Sequence, residues 1–483
     1  MEWYAKVLGF DVLQSSISNT AIPDTKWHNI AVTYDANTLL IYIDGVLDRT
    51  TNLPLVPFGT TSTFSIGGQY VNKLSILNLF KGEIDELRMW DRVVSQTEIR
   101  YTMNQEILQN GFGTKGTILP TTITKNDINS LNWNSLFAYY SMNSYIGTHL
   151  DDDSINVNRG SLVIPDKISI SLQTAPMPYM SVTNGNWSAN ATWTNGIIQD
   201  VPYSLSIIDN TTPIAWNIVK TNHNVDSNGN KVVLGLYPQI NILTASNDSK
   251  IEVSHYLKID GKIDLNGMSQ LIQPINSDLD PTSAGFIERD QKGQSNIYNY
   301  NYWSSPVGAI NNVTNNNAYT VSGVMKDGTT ASPQNITWTS GLNGSASSPI
   351  TLSSYWIFKF QNLTPAYANW QSVGPSGSLN AGQGYTLKGS GGAGLTQNLS
   401  FVGKPNNGDI SSSIAANNLN LSGNPYASAL DATQFISDNG ASTTGTLYFW
   451  QHSPTNLTHN TAGYQGGYAT RNSTGGVDRK SVV

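Results

Sequence analysis

The chain has no cysteine in 483 residues. That absence removes disulfides, thiolate metal sites and cysteine nucleophiles together. A eukaryotic extracellular protein of this length usually carries some, so a bacterial surface or secreted protein fits better. Charge is scarce too, at 12% of residues, against roughly a quarter in an ordinary soluble chain. With 26 Lys+Arg, a net charge of −7 and no basic cluster, the composition argues against nucleic acid, because phosphate binding rests on clustered basic residues. No run of about twenty apolar residues exists, so no segment reads as a membrane span. The opening EWYAKVLGF lacks the basic start and apolar run of a signal peptide. What fills the composition is Asn, Ser, Thr and Gly, with Asn alone above one residue in ten. Such amide and hydroxyl surfaces suit β-proteins whose strands alternate a buried and a wet face. The length predicts two to four domains, each large enough to bury a core.

Lys26 to Ile99 is the most legible stretch. It contains KWHNIAVTYD, LLIYIDGVLD, FSIGGQ and FKGEIDELRMWDRVVSQTEI. Ile30, Val32 and Tyr34 fall on one face of a strand, and Ile41 and Ile43 on one face of the next. Asp35-Ala36-Asn37-Thr38 joins these runs, and Asp44-Gly45 closes a second hairpin as a tight-turn pair. Gly67-Gly68 and Gly82 punctuate two further strands. From Asp91 to Arg100 the period changes, placing Val93, Val94 and Ile99 on one side of a short helix that Ser95 can cap. Trp27 is expected to face the core and His28 the water. The order of these segments resembles the LamG-like, concanavalin A-like jelly roll. Only about twenty-five residues precede Lys26, so residues 1–105 read as a truncated copy. The chain reads as a gene fragment, with 478–483 as a non-native tail.

Residues 106–181 read as a polar connection, with one strand at most before Trp133, leading to a second partial motif. Leu136-Phe-Ala-Tyr-Tyr-Ser-Met-Asn143 and Asp151 to Leu162 resemble the opening of another LamG-like domain. Asp152, Ser154, Asn156, Asn158, Gly160 and Leu162 sit at matching places, while Ile155 and Val157 stand where the family has glycines. Residues 182–280 carry short strands ended by Gly, Asn or Asp, which suggests a small β-solenoid or an elongated sandwich without a strict repeat length. Residues 281–477 carry aromatic-rich strands between Ser/Gly/Asn loops. Their landmarks resemble large surface proteins of the Bacteroidetes, which implies secretion by a type IX system, although the sorting domain itself is missing. The fold class is therefore all-β: a partial antiparallel jelly-roll sandwich, a short-strand β domain, then a further β-rich region.

Two oxygen-rich clusters are candidate metal sites. The LamG resemblance implies that Asp85, in Glu83-Ile84-Asp85-Glu86, helps hold calcium at the sheet rim. The loop Asp151-Asp152-Asp153 with Asn156 and Asn158 is the second candidate, Asp152, Asn156 and Asn158 being its ligands, since three adjacent carboxylates repel unless a cation lies between them. The commoner alternative is a solvated acidic turn. Tyr298, Tyr300 and Tyr302 alternate along one strand and offer phenol rings to a sugar face; the plainer alternative is that they pack over the core. Histidines are scattered without zinc spacing. No nucleophile elbow, phosphate loop or convincing carboxylate pair appears, so no catalysis is expected. The expected function is non-catalytic recognition or adhesion outside the cell, binding polysaccharide or glycoprotein, with calcium as the one cofactor implied. The alternatives are a structural stalk and an accessory region of a polysaccharide-degrading enzyme.

Overall fold

Two tight turns set the first sheet. β1 (Ile30–Tyr34) and β2 (Thr38–Ile43) pair antiparallel, and β2 pairs with β3 (Val46–Asn52). In the first turn the Asp35 carboxylate accepts the backbone N–H groups of Asn37 and Thr38, at 2.9 and 2.6 Å. In the second, Asp44 and Gly45 both take positive φ, 51° and 75°, the backbone that a two-residue hairpin requires. This structure is a computed structural model. It describes residues 16–22, 25–54, 64–72, 75–120, 131–143, 145–163, 178–453, 456–460 and 466–477. The tail at 478–483 lies outside the described residues. Among the described residues the chain is almost entirely β, with short helices only, and it divides into two units.

The first unit comprises residues 1–225, 231–236 and 253–256. Within its first sheet, Leu39, Ile41 and Ile43 are each 1% exposed, while Ile30 and Val32 are 39% and 37% exposed. The register pairs Ile30 with Ile43 and Val32 with Ile41, so all five share one face. The shared face is as expected, but within β1 the buried residue is Thr33, 8% exposed, on the opposite face. β4 (Gln69–Asn72) and β5 (Ser75–Leu77) form a separate hairpin. After β6 (Leu87–Trp90), α1 (Gln96–Thr102) begins in a capping box: Ser95 Oγ accepts Glu98 N and Glu98 Oε2 accepts Ser95 N, which satisfies two orphan helix donors.

Between α1 and Trp133 the structure holds a hairpin, β7 (Ile107–Asn110) with β8 (Gly113–Gly116), where one strand at most was expected. Gln105 explains the order there. Its fully buried amide donates to Tyr101 O and accepts from Ile118 N and Leu119 N. The second LamG-like motif finds its place in β9 (Leu136–Tyr140), which pairs antiparallel with β6 through Leu87↔Tyr140 and Arg88↔Tyr139. An opening-type strand therefore pairs with the late strand of the first motif, the two forming a two-stranded sheet. Tyr101, Met103 and Leu119 pack with Ile214, Trp216 and Ile218 as one core cluster.

The second unit comprises residues 226–230, 237–252 and 257–483. It opens as a β-solenoid whose strands run parallel. Ile242 pairs with Lys262 and Lys250 with Gln270, a coil of 20 residues; Lys262 then pairs with Phe286, a coil of 24. A repeat length thus exists in register, although insertions hide it in the sequence. Leu243, Ala245, Ile263, Leu265 and Ile287 are fully buried along this stack. The turns stack too: Asp226 Oδ1 accepts Ser246 Oγ, Lys250 N donates to Asn230 Oδ1, and Met268 N donates to Asp248 Oδ1. The strand Phe286–Gln294 then changes partner, pairing antiparallel with Thr396–Pro405 over eight registered positions. Beyond it lie the aromatic strands, including Tyr300–Trp303 paired with Tyr385–Lys388.

Candidate functional site

The acids that the sequence singles out in the first unit meet around Tyr139, which is 3% exposed and packs with Ile107, Trp133 and Leu136. Its hydroxyl lies 2.8 and 2.9 Å from the two Glu86 carboxylate oxygens, and Glu86 pairs with Arg88. Arg88 also donates to Thr102 O and Gln105 O, at 2.9 and 2.6 Å, and stacks 5.6 Å over the Tyr139 ring. Burial raises the Glu86 pKa, with the Arg88 charge opposing it, and burial raises the Tyr139 phenol as well. The backbone N–H of Tyr139 donates to Asp152 Oδ1 at 2.8 Å. Asp85 is thus next to the residue that binds one end of Tyr139, and Asp152 holds the other.

Asp152 is 8% exposed, and four donors fill its oxygens. Besides Tyr139 N, these are Ser154 N, Ser154 Oγ and Asn158 N, at 2.9, 2.9 and 2.6 Å. Asn156 and Asn158 turn their amide nitrogens inward to Leu136 O and Phe137 O, at 3.0 to 3.1 Å. Asp85 Oδ1 accepts the next backbone N–H, that of Glu86. Calcium takes roughly six to eight oxygen ligands, and these side chains instead hold the loop under β9. Asp152, with both oxygens filled, does not fit a calcium ligand in this arrangement. Among the described residues no three acidic or histidine side chains gather as metal ligands. Asp151 pairs with Arg159 at 3.2 Å, and Asp153 accepts Ser141 Oγ at 2.6 Å, which separates the three adjacent carboxylates.

His28 requires a correction. Its side chain is turned inward, 5% exposed, with Nδ1 2.6 Å from Asp44 Oδ2, while Asp44 Oδ1 accepts Asn29 N. The Asp44-Gly45 turn is therefore more than a hairpin end. Gly45 O accepts Gln96 Nε2 and Arg100 Nε, both at 3.0 Å, and Asp44 O accepts Trp216 Nε1 at 3.0 Å. The Arg100 guanidinium lies 3.8 Å from the Trp216 ring centre.

The tyrosine strand lies in the second unit and surrounds a buried cation. The Lys388 side chain ends 3.8 Å from the Trp356 ring centre, 4.4 Å from that of Tyr300 and 3.1 Å from His459 Nδ1. Tyr298 packs on His459 at 4.8 Å, and Tyr300 meets Trp356 edge-on at 5.9 Å. Tyr302 diverges from the other two and packs on Trp370 at 6.0 Å. The structure thus sets Tyr300 against Lys388 and Tyr298 against the His459 that Lys388 reaches, and leaves Tyr302 apart. All three rings are half-buried. Burial lowers the Lys388 pKa to about 7. His452 Nε2 accepts both Trp450 Nε1 and Tyr300 N, at 2.7 and 2.9 Å, and Asn456 Nδ2 lies 3.1 Å from its Nδ1. Burial, then the Lys388 charge, lowers the His452 pKa to about 4. Sequence reasoning passed over Lys388, His452 and His459. The one trace they leave is a lysine closing the strand Tyr385–Lys388, in which every residue is buried.

Residues 3–100 match the concanavalin A-like lectin/glucanases superfamily, so the N-terminal part carries a concanavalin A-like domain. Residues 179–481 match a family described as a domain of unknown function, DUF8693. No curated protein matches the chain. A solved structure of an S-layer domain-containing protein from Clostridium thermocellum is 28% identical over 18% of this chain and 43% of that one, with a TM-score of 0.15. The chain spans less than half of that structure's length. No helix among the described residues is long and apolar enough to cross a membrane.

Proposed function

We propose that this chain, which belongs to the DUF8693 family through residues 179–481, is a non-catalytic recognition module that binds polysaccharide or glycoprotein outside the cell. The concanavalin A-like domain at residues 3–100 carries the reading. Composition supports it: surfaces rich in amides and hydroxyls can exchange water for sugar hydroxyls without moving charge into a low dielectric. The acids around Tyr139 support binding over hydrolysis. Glycoside hydrolysis needs two carboxylates facing a substrate at roughly 5 to 10 Å, whereas Glu86 is held by Arg88 and Tyr139, and Asp152 by four donors. The landmarks of residues 183–470 support a bacterial surface address of the Bacteroidetes type, reached by type IX secretion.

A glycan array probed with the full chain tests the reading. Binding to at least one glycan class, with no reducing ends released on prolonged incubation, is the expected result. Release of reducing ends overturns the non-catalytic part. The stacked coils of 20 and 24 residues favour one second reading, a structural spacer. Silence on the array together with an elongated scattering profile supports that spacer instead.

A further inference from the structure

A groove of about 360 Å³ lies in the second unit, lined by Gln361, Asn362, Asn380, Gln383 and the run Ser411–Ser413 around a floor at Ala381. Its volume falls within the range of small-ligand sites, about 300–1,000 Å³. The lining contains no charged side chain and no aromatic ring. Its walls are pinned by backbone pairing at Tyr319↔Leu379, Leu363↔Leu419 and Gln383↔Ser422. Side chains add to the frame. Gln361 Nε2 donates to Leu421 O at 2.6 Å, Asn362 Oδ1 accepts Ala415 N at 2.7 Å, and Tyr319 OH donates to Gln383 O at 2.6 Å. Asn362 holds φ of +53°, a conformation that asparagine tolerates better than most residues.

The hydrogen-bonding groups fall into two sets. Asn362 is committed to the loop: its amide oxygen also accepts Asn418 Nδ2, and its backbone N donates to Asn420 Oδ1. Gln383 Oε1 accepts Asn380 N at 2.9 Å, which leaves its NH₂ directed elsewhere. The exposed Asn380 carboxamide and the Ser411 and Ser413 hydroxyls make no side-chain hydrogen bond among the described residues. The groove therefore offers donors and acceptors together on a fixed backbone. Ordering so many groups before contact lowers the entropy lost on binding.

We infer that this groove is a contact site for a neutral, polyhydroxylated ligand, a short stretch of uncharged polysaccharide. A charged ligand would find no counter-charge in the lining, and an apolar one would leave amides unpaired. An extended peptide is recognised through a free sheet edge or a pocket for an apolar side chain, and the lining supplies neither. Sugar hydroxyls donate and accept at once, matching the mixture of amide and hydroxyl groups. The inference rests on the recognition reading above and adds a place and a ligand charge to it.

The test uses the full chain in isothermal titration calorimetry against neutral hexasaccharides of glucose, mannose and xylose, with hexagalacturonate as the charged control. Asn380→Ala removes one donor–acceptor pair from an exposed position, and Ser413→Trp fills the groove. Both should keep the wild-type melting temperature. The expected result is binding of a neutral hexasaccharide, weakened about tenfold by Asn380→Ala, as for the loss of one hydrogen bond, and abolished by Ser413→Trp. Neutral-sugar binding that both variants retain overturns the groove and leaves the recognition reading standing. Binding of hexagalacturonate alone also overturns the groove. Absence of binding here, alongside silence on the glycan array, overturns both.

Discussion

The hairpins of residues 30–52 and the coils of residues 242–287 bury apolar strands by opposite means. In the hairpins each strand pairs with its neighbour in sequence, and a turn of two to four residues sets the register. In the coils each strand pairs with one 20 or 24 residues away, and no single turn sets the register. Alignment there comes from side chains reaching between equivalent turns, as Asp226 does to Ser246 and Asp248 to Met268. Among the described residues β1 pairs on one side alone, whereas each inner coil strand is covered by the coils before and after it. One region is specified locally, the other by repetition.

The largest expected difference lies in core truncation. Leu243→Ala in the coil stack should cost about 2–5 kcal/mol, as for a fully buried leucine. Val32→Ala on the half-covered edge strand should cost less than about 1 kcal/mol, since much of its area already meets water. Urea denaturation of the two variants reads the difference, and equal losses would break the contrast. Turn substitution should invert the pattern. Gly45 has φ of +75°, and a Cβ there would lie 2.8 Å from Trp216 Nε1, so Gly45→Ala should destabilise the first unit by about 1–3 kcal/mol.

The Lys388 cluster gives a third comparison, by pH. Its folded pKa of about 7 lies below the ordinary 10.5, so between those values the unfolded chain binds more protons. Stability from this group therefore rises as pH increases from about 7 towards 10.5. His452, lowered from 6.5 to about 4, acts with the same sign lower down: its contribution is lost as pH falls through that window. Lys388→Met should flatten the alkaline rise in urea midpoint while leaving the first unit unchanged. A slope as steep in the variant as in the parent would assign the titration elsewhere.

A smaller effect is expected at Val157, which holds φ of +52° while its side chain is 60% exposed. Val157→Gly should stabilise its loop by about 1 kcal/mol, by relieving a backbone that β-branched residues resist. The smallest expected effect is that of calcium. With Asp152 filled by four donors, millimolar calcium should leave the melting temperature of the full chain unchanged, and an upward shift would show that the loop reopens to bind the ion.

Much of the fold was legible because its signals are local. Alternation placed Ile41 and Ile43 on one face, Asp44-Gly45 named its turn, and Ser95 announced the helix cap, while the reciprocal bond from Glu98 emerged only in the structure. The surroundings of Tyr139 were partly legible. The second motif stood out in sequence, but its partner, β6, lies some fifty residues away and no local rule points to it. Glycine positions of the resemblance occupied by Ile155 and Val157 marked the loop as unusual, and the positive φ of Val157 gives the reason for one of them. His28 was misplaced because alternation alone cannot see that Asp44 stands opposite to receive it.

The chain's own residue order determined that it would be β throughout, where its tight turns fall, and that its surface would be amide and hydroxyl rather than charge. These follow from backbone preference and side-chain chemistry acting over a few residues. Tertiary structure alone decided that Asp152 and the amide nitrogens of Asn156 and Asn158 would hold a loop, that Tyr300 would lie against Lys388 and Tyr298 against His459, and that Asn380 and Gln383 would share a groove with serines thirty residues on. Each of those outcomes depends on which donors and rings meet across long separations, and a hydrogen bond is decided by the partner that arrives.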